Sequence, residues 1–197
     1  MLREIEEEIR RCRKCRLWKE KTNYVPGEGN ENAKIVFIGE APGKEEDKQG
    51  RPFVGRAGRY LTSVMEKYGL KRDEVYITNV LKCRPPNNRD PMEDEISACK
   101  QYLVRQLEAI KPSVIVCLGR FSSEVIFDMF GIRFGGISRV RGNVFEVERW
   151  GRGVKIISTY HPAAVLYRPN LANAFESDMK RVSEILKEKR KTLLDFF

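Results

Sequence analysis

The chain reads as an α/β protein, a layered fold built on a mostly parallel sheet. Short β-branched or apolar runs recur along its 197 residues, and amphipathic segments of helical length separate them. No linker-like stretch, composition break or internal repeat divides the chain, so one domain is expected.

The elements follow in order. Residues 2–11 are spaced as a short helix that runs into a cysteine pair. "KIVFIG" (34–39) is a continuous apolar run, the pattern of a strand buried on both faces. In 56–68, Leu61, Val64, Met65 and Tyr68 share one helical face. "EVYITNV" (74–80) is β-branched and strand-like. Asp90 is placed to cap a helix with Pro91 in its first turn, continuing to about residue 110. "SVIVCLG" (113–119) and "VKIISTY" (154–160) supply two more strands, and a long amphipathic helix covers roughly 171–189. Ligands of open parallel sheets bind beyond the carboxyl ends of the strands. That directs attention to "GEAPGKEED", "NVLKCRPPNN" and "YHPAAVLYRPN".

Composition narrows the partners. A net charge of +9 and a pI near 9.4 favour a polyanion such as nucleic acid. Charged residues reach 33 %, a usage resembling hyperthermophile proteins. No apolar run approaches the ~18 residues of a membrane span, and the N-terminus is charged. A cytoplasmic protein without a signal peptide is expected.

Five cysteines, an odd number, do not suggest disulfides. Cys12 and Cys15 form a C-x2-C pair, and Cys83 and Cys99 complete a set of four that suits tetrahedral zinc or an iron–sulfur cluster. Cys117 lies within an apolar strand, as a core thiol does.

The first loop, "GEAPGKEEDKQGRPFVG" (39–55), superficially suggests a phosphate cradle. Its glycines, however, lead into Glu45, Glu46 and Asp47 rather than a Lys-Ser/Thr pair, and those carboxylates repel phosphate. A neutral ligand offering N–H groups suits it better. Asn79 can cap a turn or read a complementary edge such as a pyrimidine O4/N3–H pair. Phe53 can fill a core or stack on a base. His161, the only histidine, follows a strand and precedes Pro162, a location shared by structural and catalytic histidines.

"GEAPGKEEDKQGRPFVGRAG", "YITNVLKCRPPNNRDP" and "HPAAVL", together with Cys12, Cys15, Cys83 and Cys99, resemble the family 4 uracil-DNA glycosylases. These are iron–sulfur repair enzymes of archaea and thermophilic bacteria. The resemblance implies a three-layer α/β/α sandwich on a central, mostly parallel four-stranded sheet, spanning residues 1–189. It implies that the four cysteines ligate a structural [4Fe–4S] cluster. Gly39, Glu40 and Ala41 would form a pocket wall, with Glu40 near the attacking water. Phe53 would stack on the base, Asn79 would pair with the uracil edge, Glu46 would stand beside C5 against thymine's methyl group, and His161 would donate to O2. Leu166, Tyr167 and Arg168 are the candidates for the wedge that fills the vacated base stack. Ala41 stands where other uracil glycosylases carry a water-activating Asp, which favours a dissociative mechanism. The expected partner is uracil-containing DNA, single- or double-stranded, acted on by a nucleoid-associated monomer.

A basic stretch containing Arg133, Arg139, Arg141, Arg149 and Arg152 is either a DNA groove or a solvated face. In the tail, 190–197, Leu193, Phe196 and Phe197 resemble a sliding-clamp-binding motif, with Arg190 where that motif usually has Gln. Two other functions fit the chain: a non-catalytic, cluster-bearing nucleic-acid module, and a glycosylase of wider substrate range.

Overall fold

The computed structural model describes residues 1–194, with side chains through Lys187. In chain order it comprises α1 (Leu2–Arg10), β1 (Glu28–Gly29), β2 (Ile35–Gly39), α2 (Lys44–Gln49), α3 (Arg56–Lys67), β3 (Tyr76–Asn79), α4 (Glu93–Ile110), β4 (Val114–Leu118), α5 (Arg120–Met129), α6 (Ile137–Val140), β5 (Val144–Arg149), β6 (Arg152–Thr159), α7 (Pro162–Tyr167) and α8 (Ala172–Leu194). The sheet order is β1-β3-β2-β4-β6-β5. The four expected strands form its parallel centre, β3-β2-β4-β6.

Two antiparallel edge strands were not expected, which raises the count from four to six. The first is only two residues long, and the second, "VFEVER", is half-exposed and charged, so neither makes an apolar run.

Alternation along the strands separates two cores. Val36, Ile38, Ile115 and Ile156 pack with α1, α4 and α5. Ile35, Phe37, Val114, Val116 and Ile157 face α3, α7 and α8. The result is the three-layer α/β/α sandwich. Successive residues of a strand point to opposite faces, so strands apolar throughout are what two helical layers require.

One helix start differs from expectation. Met92, not Asp90, is the N-cap of α4, and the Glu95 carboxylate accepts from the Met92 N–H at 3.0 Å. Asp90 instead pairs with Arg120 at 3.3 Å. The last helix outruns the expected boundary at 189 and continues to Leu194. Phe196, Phe197 and the side chain of Leu193 lie outside the described residues. Among the described residues no helix is long and apolar enough to cross a membrane.

Candidate active site

The parallel register places Gly39, the last residue of β2, beside Asn79, the last of β3. Beyond the strands the pairing continues, Val80 N–H to the Gly39 carbonyl and Leu81 N–H to the Glu40 carbonyl, both at 3.0 Å. A Cβ on Gly39 would lie 2.4 Å from Asn79 Oδ1 and 2.5 Å from the Phe53 ring, so only glycine lets those two groups close over the strand end. Asn79 is 1 % exposed and its Oδ1 has no hydrogen-bond partner. A buried acceptor left unpaired is costly, and its natural explanation is a ligand donor.

Phe53 stands beside it on a backbone of positive φ, 51°, uncommon for a bulky side chain and a mark of functional strain. Three groups hold it there. Arg72 donates to the Pro52 carbonyl at 2.5 Å and the Phe53 carbonyl at 3.3 Å, while pairing with Glu28 at 2.7 Å. Glu46 Oε1 accepts from the N–H groups of Val54 (2.9 Å) and Gly55 (2.7 Å). Gly58 of α3 allows the Phe53 backbone a proximity that any Cβ would block, at 2.0 Å.

His161 caps α7, where its Nδ1 accepts from the Ala163 N–H at 3.2 Å. Burial lowers its pKa from 6.5 to about 4, so the ring is neutral. With Nδ1 accepting, the ring proton resides on Nε2, a donor. The rings of His161 and Phe53 lie 5.7 Å apart at 35°. Gly119 makes room for His161: a Cβ there would meet the histidine Cβ at 2.9 Å.

Glu40 is half-buried. Burial raises its pKa from 4.5 to about 7, the Asp90 carboxylate adds to the rise and Arg120 opposes it.

These groups converge on one cavity of about 410 Å³, lined among others by Glu40, Ala41, Glu46, Phe53, Asn79, His161 and Tyr167. Gly39, expected in the pocket wall, is not among the residues that line it. Of the three wedge candidates, only Tyr167 lines the cavity, and it is 86 % exposed. Leu166 is half-buried and Arg168 exposed. The cavity also takes in Asn88 and Arg89, which sequence reasoning passed over. The signal was present in "RPPNNRD": Asn87 and Asn88 both adopt positive φ, 53° and 54°, for which Asn is the best-suited residue after glycine.

Of the basic stretch, Arg141, Arg149 and Arg152 do not share one surface. Arg141 is tied to buried Asp178 and the Ala174 carbonyl. Arg149 and Arg152 pair across the β5–β6 turn, at the end of the sheet opposite the cavity.

Cys12, Cys15, Cys83 and Cys99 line a second, small cavity with Ile9, Leu17, Trp18, Leu81 and Tyr102. Burial raises the thiol pKa of Cys15, pushes Cys83 well above the usual range and Cys99 to about 11. The Lys82 N–H donates to Cys99 Sγ at 3.3 Å. Among the described residues no three His, Cys, Asp or Glu side chains converge closely enough to hold one metal ion.

A cavity at the carboxyl end of a parallel sheet is where open α/β enzymes take their ligands. Residues 26–187 match the family model of the uracil DNA glycosylase superfamily. The chain is 61 % identical over 195 residues to a type-4 uracil-DNA glycosylase of Archaeoglobus fulgidus, covering 99 % of this chain and 98 % of the relative. It is 50 % identical over 197 residues to the type-4 enzyme of Sulfurisphaera tokodaii, covering 100 % and 90 %. The type-4 enzyme of Thermotoga maritima is 47 % identical over 162 residues, 82 % of this chain and 81 % of the relative. The chain belongs to the type-4 uracil-DNA glycosylase family.

Proposed function

We propose that the cavity receives uracil turned out of DNA, and that the protein hydrolyses its N-glycosidic bond to leave an abasic site, as the first step of base excision repair. The unpaired Asn79 Oδ1, in a cavity that Phe53 and His161 also line, carries this reading. Uracil N3–H is the donor that oxygen lacks. Cytosine presents a lone pair there, and a site built to hydrogen-bond one edge rejects an analogue that leaves its groups unpaired.

The chemistry follows from the same groups. As the C1′–N1 bond breaks, its electron pair passes to the base and the charge spreads onto O2. A neutral Nε2–H of His161 aimed at O2 stabilises that anion without itself surrendering a full charge. Phe53 supplies the stacking face. Water adds to C1′ of the sugar cation, and the Glu40 carboxylate orients the water and takes its proton. Glu46 stands near C5 while tying down the Phe53 loop. Tyr167, exposed at the rim, is the side chain placed to fill the vacated stack.

The four cysteines would hold a [4Fe–4S] cluster, which serves as a structural brace between α1, the loop after β3, and α4. The apolar lining and the backbone donor to Cys99 support this. Anaerobically purified protein is expected to show broad visible absorption, which closed-shell zinc lacks. The tail, 190–197, would engage a sliding clamp; its deletion should abolish clamp binding and spare excision.

Incubation with a uracil-containing oligonucleotide followed by alkali tests the main reading. Strand scission at uracil is expected, and intact strands would refute it. Scission equally strong at hypoxanthine or hydroxymethyluracil would favour the wider substrate range.

A further inference from the structure

Lys82 is 1 % exposed, a lysine enclosed by the molecule. Its Nζ donates to Thr78 Oγ1 at 2.6 Å, to the Asn79 carbonyl at 2.6 Å and to Gln106 Oε1 at 2.7 Å. Each side-chain acceptor is itself fixed. The Thr78 hydroxyl donates to the Pro26 carbonyl at 2.7 Å. The Gln106 amide donates to that same carbonyl at 2.9 Å and to the Tyr76 hydroxyl at 3.1 Å. Three oxygens within hydrogen-bond distance fix the nitrogen in place.

Burying an amine away from water is costly, and a well-packed apolar side chain would serve stability as well. Nothing in the chemistry above touches Lys82. What Lys82 touches is the main chain of the base reader. The edge strand β1 pairs only with Tyr76 and Ile77, and so stops short of Asn79. On that side the Lys82 nitrogen supplies the hydrogen bond that a longer neighbouring strand would have given.

We propose that Lys82 is a positioning residue for Asn79: by holding the Asn79 carbonyl, it sets the amide in the place where it meets the uracil edge. The proposal rests on Asn79 reading that edge. It makes base recognition depend on a lysine that never contacts the base. Misplacing a reading group by about 1 Å can cost up to ~100-fold in rate.

A double-mutant cycle on the intact protein tests it, with single-turnover excision of uracil from a single-stranded oligonucleotide, product inhibition by free uracil and melting temperature measured for each variant. Lys82→Met is expected to slow excision by roughly 10- to 100-fold and to weaken inhibition by uracil in parallel. In the Asn79→Ala background the same change should cost less than about 3-fold, because residues that act as one unit are not additive. Equal fold losses in both backgrounds, or no loss in either, would overturn the proposal and leave Asn79's role standing. An Asn79→Ala variant with full activity would remove both. Should Lys82→Met fail to fold, Lys82→Met/Gln106→Leu replaces both buried polar partners by apolar ones, a change that is often close to neutral in stability. That variant, run through the same cycle, should melt near the parent and still lose excision only where Asn79 is present.

Discussion

Glu40 gives the sharpest test of the proposed chemistry. Its carboxyl titrates at about 7, raised first by burial and then by Asp90, with Arg120 in opposition. If the ionised form handles the water, single-turnover excision must follow the ionised fraction. For a midpoint of about 7 that fraction is roughly 0.1 at pH 6, 0.5 at pH 7 and 0.9 at pH 8. Excision is therefore expected to rise about 10-fold from pH 6 to pH 8 and then level off. An ordinary carboxylate, titrating at 4.5, would give a flat profile over that range. Asp90→Asn should move the midpoint down, because it removes a like charge and releases Arg120, its partner at 3.3 Å, to act on Glu40.

Stability supplies an independent arm. A carboxyl with a raised pKa in the folded state binds more protons there than in the unfolded chain, so its ionisation erodes stability as pH climbs from 4.5 through about 7. Glu40→Gln should thus melt like the parent at pH 4.5 and above it at pH 8, while losing the pH-dependent rise in rate. The assay is excision from a single-stranded uracil oligonucleotide under excess enzyme at pH 5–9, beside melting curves. A Glu40→Gln variant that kept the roughly 10-fold rise would refute the role of Glu40, whatever its stability.

Gly39→Ala is expected to abolish binding of free uracil, since the new Cβ would fall 2.4 Å from Asn79 Oδ1 and 2.5 Å from the Phe53 ring; inhibition by uracil reports it. Tyr167→Ala should slow excision from duplex DNA by about 10-fold or more while leaving single strands nearly unaffected, because only the duplex has a stack to be filled. Comparing the two substrates under single turnover decides it. His161→Gln should lower the excision rate by ~10²–10³ if a neutral donor to O2 is lost or misplaced. The same change should flatten the acid side of the stability curve. The buried imidazole titrates at about 4, against 6.5 when unfolded, so folding loses stability as pH falls from 6.5 through about 4.

The layered fold was legible because the central strands are apolar on both faces, and only burial between two helical layers makes such strands stable. The edges were not, since β5 alternates charge with apolar residues and β1 exists only as a partner for Tyr76 and Ile77. At the site, Asn79, Phe53 and His161 stood out because each is an unusual residue at the end of a strand or in a glycine-rich loop. Arg72 left no such trace. It lies 19 positions beyond Phe53, and its role appears only when folding brings its guanidinium under the Pro52 and Phe53 carbonyls. Glu46 shows the opposite difficulty. Its acidity was visible in the loop, but its hydrogen bonds to Val54 and Gly55 give it a task in holding Phe53 that no sequence pattern announces.

The segment "TNVLKC" draws these separate features into one mechanical argument. Thr78 and Asn79 end β3, Lys82 turns back to hold both, and Cys83 follows at once, while the Lys82 N–H reaches Cys99 on α4. The base reader and the cysteine set are thus joined by three intervening residues of chain and one buried side chain. Whatever loosens the cysteine region must loosen the point from which Lys82 reaches back, and so the register of Asn79. A brace in that position needs no redox chemistry to matter for excision. It need only keep the loop after β3 from drifting by the fraction of an ångström that separates a paired uracil edge from an unpaired one.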